Sequence, residues 1–230
     1  MMESIMRLAH GWELTVYSGF PRRWVGEFLH PAVRAVPTPL AERVGRCRVT
    51  LVPGFDDPTW NSQWTRIEAG VEISVATDEL GHDVALELLT CVGQALWERL
   101  SRAEESSYWT LLDAEMRSKV GGEIDEQALE AKHRLLADRA RARDVRCLEE
   151  YGRASFAATA AEFVHCLWHD TTIRTGEEYL PAAPLRQRLE LLARWFPPDP
   201  GYALFPARGS ASYGGWRVAA SCSLHRQIRP

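Results

Sequence analysis

A segment that is apolar almost all round, Ala154 to Trp168, places the strongest constraint on the fold of this chain. As a helix it has no continuous polar face, so it has to be buried on most of its sides. A chain of 230 residues, of which 46% are apolar, can form one core large enough to bury such a helix. We therefore expect residues 1–206 to form a single domain and residues 207–230, which are rich in small residues, to form a loosely held tail.

Strongly polar side chains interrupt this helix on one face. Glu162, His165 and His169 are spaced i, i+3 and i+7, within an arc of roughly 60°, and Cys166 borders them. A buried carboxylate is costly unless it is paired, hydrogen-bonded or bound to a metal, so another group has to face this stripe. The two histidines have a spacing that a divalent metal such as zinc can use, with Glu162 and Cys166 as further candidate ligands.

The polar stripe is also compatible with a role that involves no metal. Glu162 and His165 can form a purely structural hydrogen-bonded cluster, and His169 can be a cationic residue at a helix end, where the helix dipole favours it. A third alternative pairs Cys91 as a nucleophile with His165 as its base, because a thiol needs a nearby base to become a thiolate. No local sequence signature supports that pair.

Strands are predicted in the N-terminal part of the chain, before the buried helix 154–168. Residues 24–44 are apolar but interrupted by prolines, which indicates a broken helical entry segment. The stretches Cys47–Val52 and Val71–Val75 alternate and are rich in β-branched residues, and a Pro-Gly turn follows the first of them. They predict at least two strands of a small sheet.

Helical periodicity dominates the rest of the chain. The predicted helices are 82–100, one from a Ser106-Ser107 cap to Gly121-Gly122, one from Asp125 through Leu135, the buried helix 154–168, and Leu185 to Trp195. His82 and Asp83 are interpreted as a capping arrangement at the start of the first of these. The predicted fold class is α+β and helix-rich, with a small N-terminal sheet followed by a helical bundle.

The sequence of the predicted helix 82–100 resembles that of a known protein family. The stretch Leu88-Leu89-Thr90-Cys91-Val92-Gly93-Gln94-Ala95-Leu96-Trp97, together with the order of elements over residues 25–195, resembles the zincin fold of compact, anthrax-lethal-factor-like metallopeptidases. That resemblance implies two zinc-binding histidines one helical turn apart with a glutamate as general base, and a third ligand at a position that matches either Glu162 or, one turn earlier, Ala158. The plain alternative is an amphipathic helix in another fold.

The residues that carry the family's chemistry are replaced. Thr90 and Gln94 stand at the two histidine positions and Cys91 at the glutamate position, and none of them can take over those roles. We therefore expect no peptidase activity of the usual kind. The favoured hypothesis is a non-catalytic, zincin-like protein that binds a protein or peptide through a remnant cleft. The alternatives are a metal-dependent hydrolase with a relocated site on the 154–169 helix, and a structural or assembly partner.

Composition excludes several other classes. The net charge is −4, the pI is about 6.0 and there is no basic block, which argues against nucleic-acid binding. No long apolar run or signal-peptide pattern occurs, so we expect a cytoplasmic protein with no membrane association. The five cysteines follow no regular spacing and predict neither disulfides nor a zinc knuckle. No nucleotide-binding or serine-hydrolase motif is present.

Overall fold

The computed structural model describes residues 4–17, 19–57, 59–77, 81–137, 144–169 and 176–205. The expected tail, 207–230, lies outside the described residues. The fold class is the predicted one, because a mixed sheet near the N-terminus is followed by a set of packed helices. None of the described helices is both long enough and apolar enough to cross a membrane.

The sheet has five strands in the order β1-β2-β3-β5-β4. Its strands are β1 (Ser4–Arg7), β2 (Glu13–Val16), β3 (Arg46–Val52), β4 (Ser62–Ile67) and β5 (Gly70–Ala76). The three central strands run parallel, and each edge strand pairs antiparallel with its neighbour. Strands β3 and β5 confirm the two predicted strands, whereas β1, β2 and β4 were not predicted.

Helices cover the sheet and build the rest of the domain. They are α1 (Arg22–Trp24), α2 (His30–Ala35), α3 (Thr38–Val44), α4 (Gly81–Trp97), α5 (Arg102–Arg117), α6 (Glu126–Leu136), α7 (Val145–Trp168) and α8 (Ala182–Trp195). A π-helical segment, Val25–Leu29, joins α1 to α2 without a break. Helix α7 is buried along most of its length, as its composition predicts.

The start of α5 differs from the prediction. Ser101 caps the helix by accepting a hydrogen bond from the backbone N–H of Glu104, whose carboxylate accepts in return from the backbone N–H of Ser101. Ser107 instead donates its hydroxyl to the carbonyl of Ala103, as a serine inside a helix does. The predicted cap at Ser106-Ser107 is therefore wrong, and so is the predicted end at Gly121-Gly122, since α5 ends at Arg117.

Helices α4 and α7 pack antiparallel in close contact. At Gly93 of α4 an added Cβ would lie 2.8 Å from the carbonyl oxygen of Ala157 and 3.0 Å from the Cβ of Ala160. Only a glycine allows the two backbones to approach this closely. With the crossing fixed at Gly93, the first turn of α4 lies beside the last turn of α7, where His82 contacts His165.

A buried ionic network connects the C-terminal helices. Arg188 of α8 is fully buried and donates to the carboxylates of Glu115 and Glu123, with an Nη1 to Oε2 distance of 2.7 Å to Glu123. Lys132 of α6 adds a second buried cation 3.3 Å from Glu123. Tyr151 of α7 donates its hydroxyl to the same carboxylate. Every charge in the network has a partner of opposite sign, which is the condition for burying it without a large penalty.

Candidate metal centre

Three histidines from two helices meet at one end of the α4–α7 pair. His82 lies in the first turn of α4, His165 in the last turn of α7, and His169 is the C-cap residue of α7. His165 is buried, His82 is half-buried and His169 is exposed. Among the residues that the structure describes, these histidines form the one group of three or more potential ligands that lie close enough together to hold a metal ion.

The distances between the three imidazoles suit a metal ion. One ligand nitrogen from each ring lies within 4.8 Å of the others, and the Nε2 atoms of His82 and His165 are 3.1 Å apart. Two histidine nitrogens bound to the same tetrahedral zinc ion at about 2.05 Å lie about 3.3 Å apart. The pair formed by His82 and His165 is close to that separation, and a nitrogen of His169 lies within 4.8 Å of both.

A carboxylate lies near Nδ1 of each of the two closest imidazoles. Glu162 Oε2 is 3.3 Å from Nδ1 of His165, and Asp83 Oδ1 is 3.5 Å from Nδ1 of His82. A carboxylate at Nδ1 favours the tautomer that carries its proton there, which leaves the lone pair on Nε2. Two Nε2 lone pairs 3.1 Å apart repel each other unless a cation or a proton lies between them. This arrangement is the one that metal-binding histidines show in proteins.

The environment of His82 favours the neutral form of its ring. Burial lowers the pKa of His82, and the neighbouring His165 lowers this pKa further, while the contact with Asp83 opposes the change. A histidine has to be neutral to bind a metal ion. The shift in the pKa of His82 therefore extends the pH range over which the site can bind one.

The structure places the predicted metal residues in two different positions. His165 and His169 present their rings to the shared centre, whereas Glu162 is not part of the three-residue group and contacts His165 from behind. Cys166 donates its thiol to the other oxygen of Glu162 at 3.5 Å. The carboxylate thus has partners on both oxygens, which is how a partly buried acid on an apolar helix is accommodated.

The residues at the degenerate zincin positions lie away from this centre. Thr90 is eight residues beyond His82 on α4, about 12 Å along the helix axis, and donates its hydroxyl to the carbonyl of Leu86. Gln94 is one turn farther and partly exposed. Neither shares the centre formed by the three histidines.

Cys91 has the surroundings of a structural thiol. It is buried, and burial raises the pKa of its thiol to about 12, so the thiolate is not formed near neutral pH. It lies nine residues beyond His82, about 13.5 Å along α4, whereas the described contact of His165 with α4 is at the first turn of that helix. The geometry therefore does not favour a nucleophile-base pair of Cys91 and His165.

His82 was not predicted as a ligand, because the sequence pattern was interpreted as a cap formed with Asp83. The signal available in the sequence was a histidine followed by an aspartate in the first turn of a helix rich in apolar residues. That signal does not show which distant segment the ring faces. Only the antiparallel packing of α4 and α7 brings it to His165, 83 positions later.

Two aromatic side chains lie beside the three histidines. Phe28, from the π-helical segment, meets the ring of His82 edge-on at a centroid distance of 6.2 Å. The indole of Trp168 has centroid distances of 6.0, 5.8 and 5.3 Å to His82, His165 and His169. Apolar rings next to a site lower the local dielectric and strengthen the interactions of charges placed in it.

Comparison of the chain with protein-family models, with curated proteins and with solved structures gives no significant match. The resemblance to zincin metallopeptidases therefore stays a prediction. The basis for a functional proposal is the geometry of His82, His165 and His169.

Proposed function

We propose that this protein binds one divalent transition metal ion through His82, His165 and His169, and that the ion serves a hydrolytic reaction. Zinc is the ion that suits the site best, since it favours imidazole nitrogen and tetrahedral coordination. The observation that carries the proposal is the convergence of three imidazoles from two helices, with a carboxylate behind two of them. A purely structural histidine pair does not need a third imidazole and two orienting acids.

Within the described part of the chain the site has three candidate protein ligands, and this number indicates the class of chemistry. Structural zinc sites have four protein ligands, whereas catalytic sites have three and keep one position for water or substrate. Bound zinc lowers the pKa of a coordinated water molecule to about 7, which supplies a nucleophile for hydrolysis at neutral pH. In this chain Glu162 and Asp83 orient the imidazoles, and Phe28 and Trp168 shield one side of the site.

The favoured hypothesis from the sequence, peptide binding through a remnant zincin cleft, receives less support. That hypothesis places the cleft between α4 and α7 near Thr90 and Gln94. At the neighbouring Gly93, α4 contacts the backbone of Ala157 on α7. This contact leaves no room for a ligand at that crossing. Binding of a peptide elsewhere on the surface, and a structural or assembly role, stay predictions.

Metal binding is tested on protein purified without a metal-carrying tag and stripped with a chelator. Isothermal titration with zinc should give one ion per chain. His82→Ala, His165→Ala and His169→Ala should each reduce the affinity by more than the roughly 10–100-fold that loss of an outer-shell partner causes. Elemental analysis after dialysis provides an independent stoichiometry.

His133→Ala is the matched control, because His133 is an exposed histidine on α6 outside the three-residue group. It should bind zinc as the wild type does. A hydrogen-bonded histidine cluster without a metal predicts instead that the wild type binds no zinc stoichiometrically and that chelator leaves its melting temperature unchanged. Either of those results would refute the proposal.

A further inference from the structure

Trp168 has a buried polar atom that no contact accounts for. Its indole Nε1 is shielded from solvent, and within the described part of the chain it has no hydrogen-bond partner. The indole nitrogen can only donate a hydrogen bond. Trp168 is three residues beyond His165 on the same helix face and is followed directly by His169.

An unsatisfied buried donor is unfavourable, since it has lost its hydrogen bond to water and gained none in return. Such groups are uncommon in folded proteins, and one beside a candidate ligand site points to a partner that belongs to the site. The other described atom of this kind, the hydroxyl of Ser4, belongs to the edge strand β1 and not to the histidine centre. The unpartnered donor at Trp168, by contrast, belongs to a ring within 6.0 Å of all three histidine rings.

We propose that the indole N–H of Trp168 donates a hydrogen bond to an oxygen atom of the ligand that occupies the open coordination position, and so selects hydroxide and carboxylate ligands at the metal. This inference rests on the proposed metal site. A hydrogen bond to a charged acceptor is among the stronger ones in proteins, and it would stabilise an anionic oxygen ligand over a neutral one. The partner that Nε1 lacks would then be the ligand itself.

A packing role for Trp168 makes a different prediction. If the indole only supports the histidine rings by its shape, any ligand at the open position is affected equally when Trp168 is changed. A donated hydrogen bond acts only on a ligand that still has an acceptor after it has bound the metal. Acetate keeps a free oxygen lone pair, whereas imidazole binds through its one lone pair and keeps none.

The experiment uses the full chain loaded with cobalt(II), whose visible absorption reports changes in coordination. Acetate and imidazole are titrated separately into the wild type, Trp168→Phe and the control Trp195→Phe, which changes a partly buried tryptophan on α8. We expect Trp168→Phe to bind acetate about tenfold more weakly, as loss of one hydrogen bond to a charged group predicts, and imidazole with unchanged affinity. Trp195→Phe should match the wild type with both ligands.

The possible outcomes distinguish a failure of this inference from a failure of the metal site. If the wild type binds no cobalt, the proposed function fails and this inference fails with it. If the wild type and Trp168→Phe bind cobalt but acetate affinity is unchanged, or if both ligands weaken together, the metal site stands and the role of the N–H is refuted. Loss of cobalt binding in a folded Trp168→Phe protein also refutes it, since the ring would then support the metal ligands themselves.

A measurement on the wild type covers the case in which Trp168→Phe does not fold. In protein labelled with nitrogen-15 at tryptophan, the indole proton of Trp168 is observed in the zinc-loaded form before and after acetate is added. A new hydrogen bond to the bound acetate should shift this resonance downfield and slow its exchange with water. An unchanged resonance under saturating acetate would overturn the inference.

Discussion

The Nε2 atoms of His82 and His165 lie 3.1 Å apart, although 83 positions separate the two residues in the sequence. Their other ring nitrogens face Asp83 and Glu162, so both rings direct a nitrogen toward the same point. A contact of this kind depends on the relative position of α4 and α7. The close approach of those helices at Gly93 is therefore part of what builds the site.

Replacing Glu162 should weaken metal binding without abolishing it. In Glu162→Gln the side chain keeps its size, but it no longer holds the proton on Nδ1 of His165 with a negative charge. We expect zinc affinity to fall about 10–100-fold, the effect that loss of an outer-shell partner usually has. The measurement is a competition titration against a chelating dye.

Glu149→Gln is the control, because Glu149 lies on the same helix with a side chain that is 60% exposed. It should leave the affinity unchanged. Complete loss of binding in Glu162→Gln would mean that Glu162 is itself a ligand, as its spacing from the two histidines predicts, and an unchanged affinity would mean that it does not orient His165.

Zinc should raise the stability of the folded chain. A ligand present at 100 times its dissociation constant, bound only by the native state, stabilises that state by about 2.7 kcal/mol. The melting temperature should increase by several degrees with zinc and return to its starting value with excess chelator. His169→Ala, compared with its own metal-free melting temperature, should lose the increase. An increase of the same size in His169→Ala would exclude it as a ligand.

Introducing a side chain at Gly93 should affect both stability and the site. The Cβ of Gly93→Ala would lie 2.8 Å from the carbonyl oxygen of Ala157, so α4 and α7 have to separate. We expect a loss of about 1–3 kcal/mol in the free energy of unfolding, as other overpacked cores show. Zinc affinity should fall as well, since His82 and His165 lie on the two helices that move apart.

The neighbouring substitution Gln94→Ala provides the comparison, because Gln94 is partly exposed and a surface change of this kind is usually within about 0.5 kcal/mol. Denaturant unfolding gives the stabilities and a zinc titration gives the affinities. If Gly93→Ala is as stable as Gln94→Ala, the helix contact does not constrain the two backbones.

Two of the three histidines of the candidate centre, His165 and His169, are predicted from the sequence. The apolar composition of the buried helix and the spacing of Glu162, His165 and His169 identified one face of α7 as a polar stripe that needs a partner. His82 could not be assigned in the same way. Its position is set by the direction and depth at which α4 packs on α7, and periodicity within one helix carries no information on either.

Physical reasons explain why strand β1 and the start of α5 differ from the sequence prediction. Strand β1 has four residues and is half exposed, so it lacks the apolar alternation that identified β3 and β5. The start of α5, in contrast, was readable: Ser101 and Glu104 form the serine-to-glutamate spacing of a capping box. Serine favours caps, which is why Ser106 and Ser107 resemble a helix start, but a serine inside a helix satisfies its hydroxyl with a carbonyl one turn earlier.

Removing the buried arginine of the C-terminal helices should be strongly destabilising. Arg188→Met leaves Glu115 and Glu123 buried with less positive charge to balance them. Breaking a buried ion pair from one side costs about 3–5 kcal/mol, because the remaining charge stays desolvated. Arg186→Met removes an arginine that is 61% exposed and paired with Glu190 on the same helix, and should have little effect. Equal unfolding midpoints in urea for the two variants would contradict this account.

The same network should make the chain sensitive to acid. Burial alone raises the pKa of Glu123, but Arg188, with help from Lys132, outweighs it and holds this pKa below its ordinary value of 4.5. A carboxyl whose pKa is lower in the folded state binds fewer protons there than in the unfolded state. Its contribution to stability is therefore complete above the unfolded value and is lost as the pH falls through the folded one.

Glu123→Gln tests this directly, since the amide keeps the shape of the side chain and does not titrate in this range. The variant should be less stable than the wild type at neutral pH, because Arg188 loses a charged partner. Its free energy of unfolding should then fall less steeply than that of the wild type between about pH 5 and pH 3. Glu149→Gln, at an exposed site, should follow the wild-type profile. Parallel profiles for Glu123→Gln and the wild type would show that other carboxyls govern the acid response.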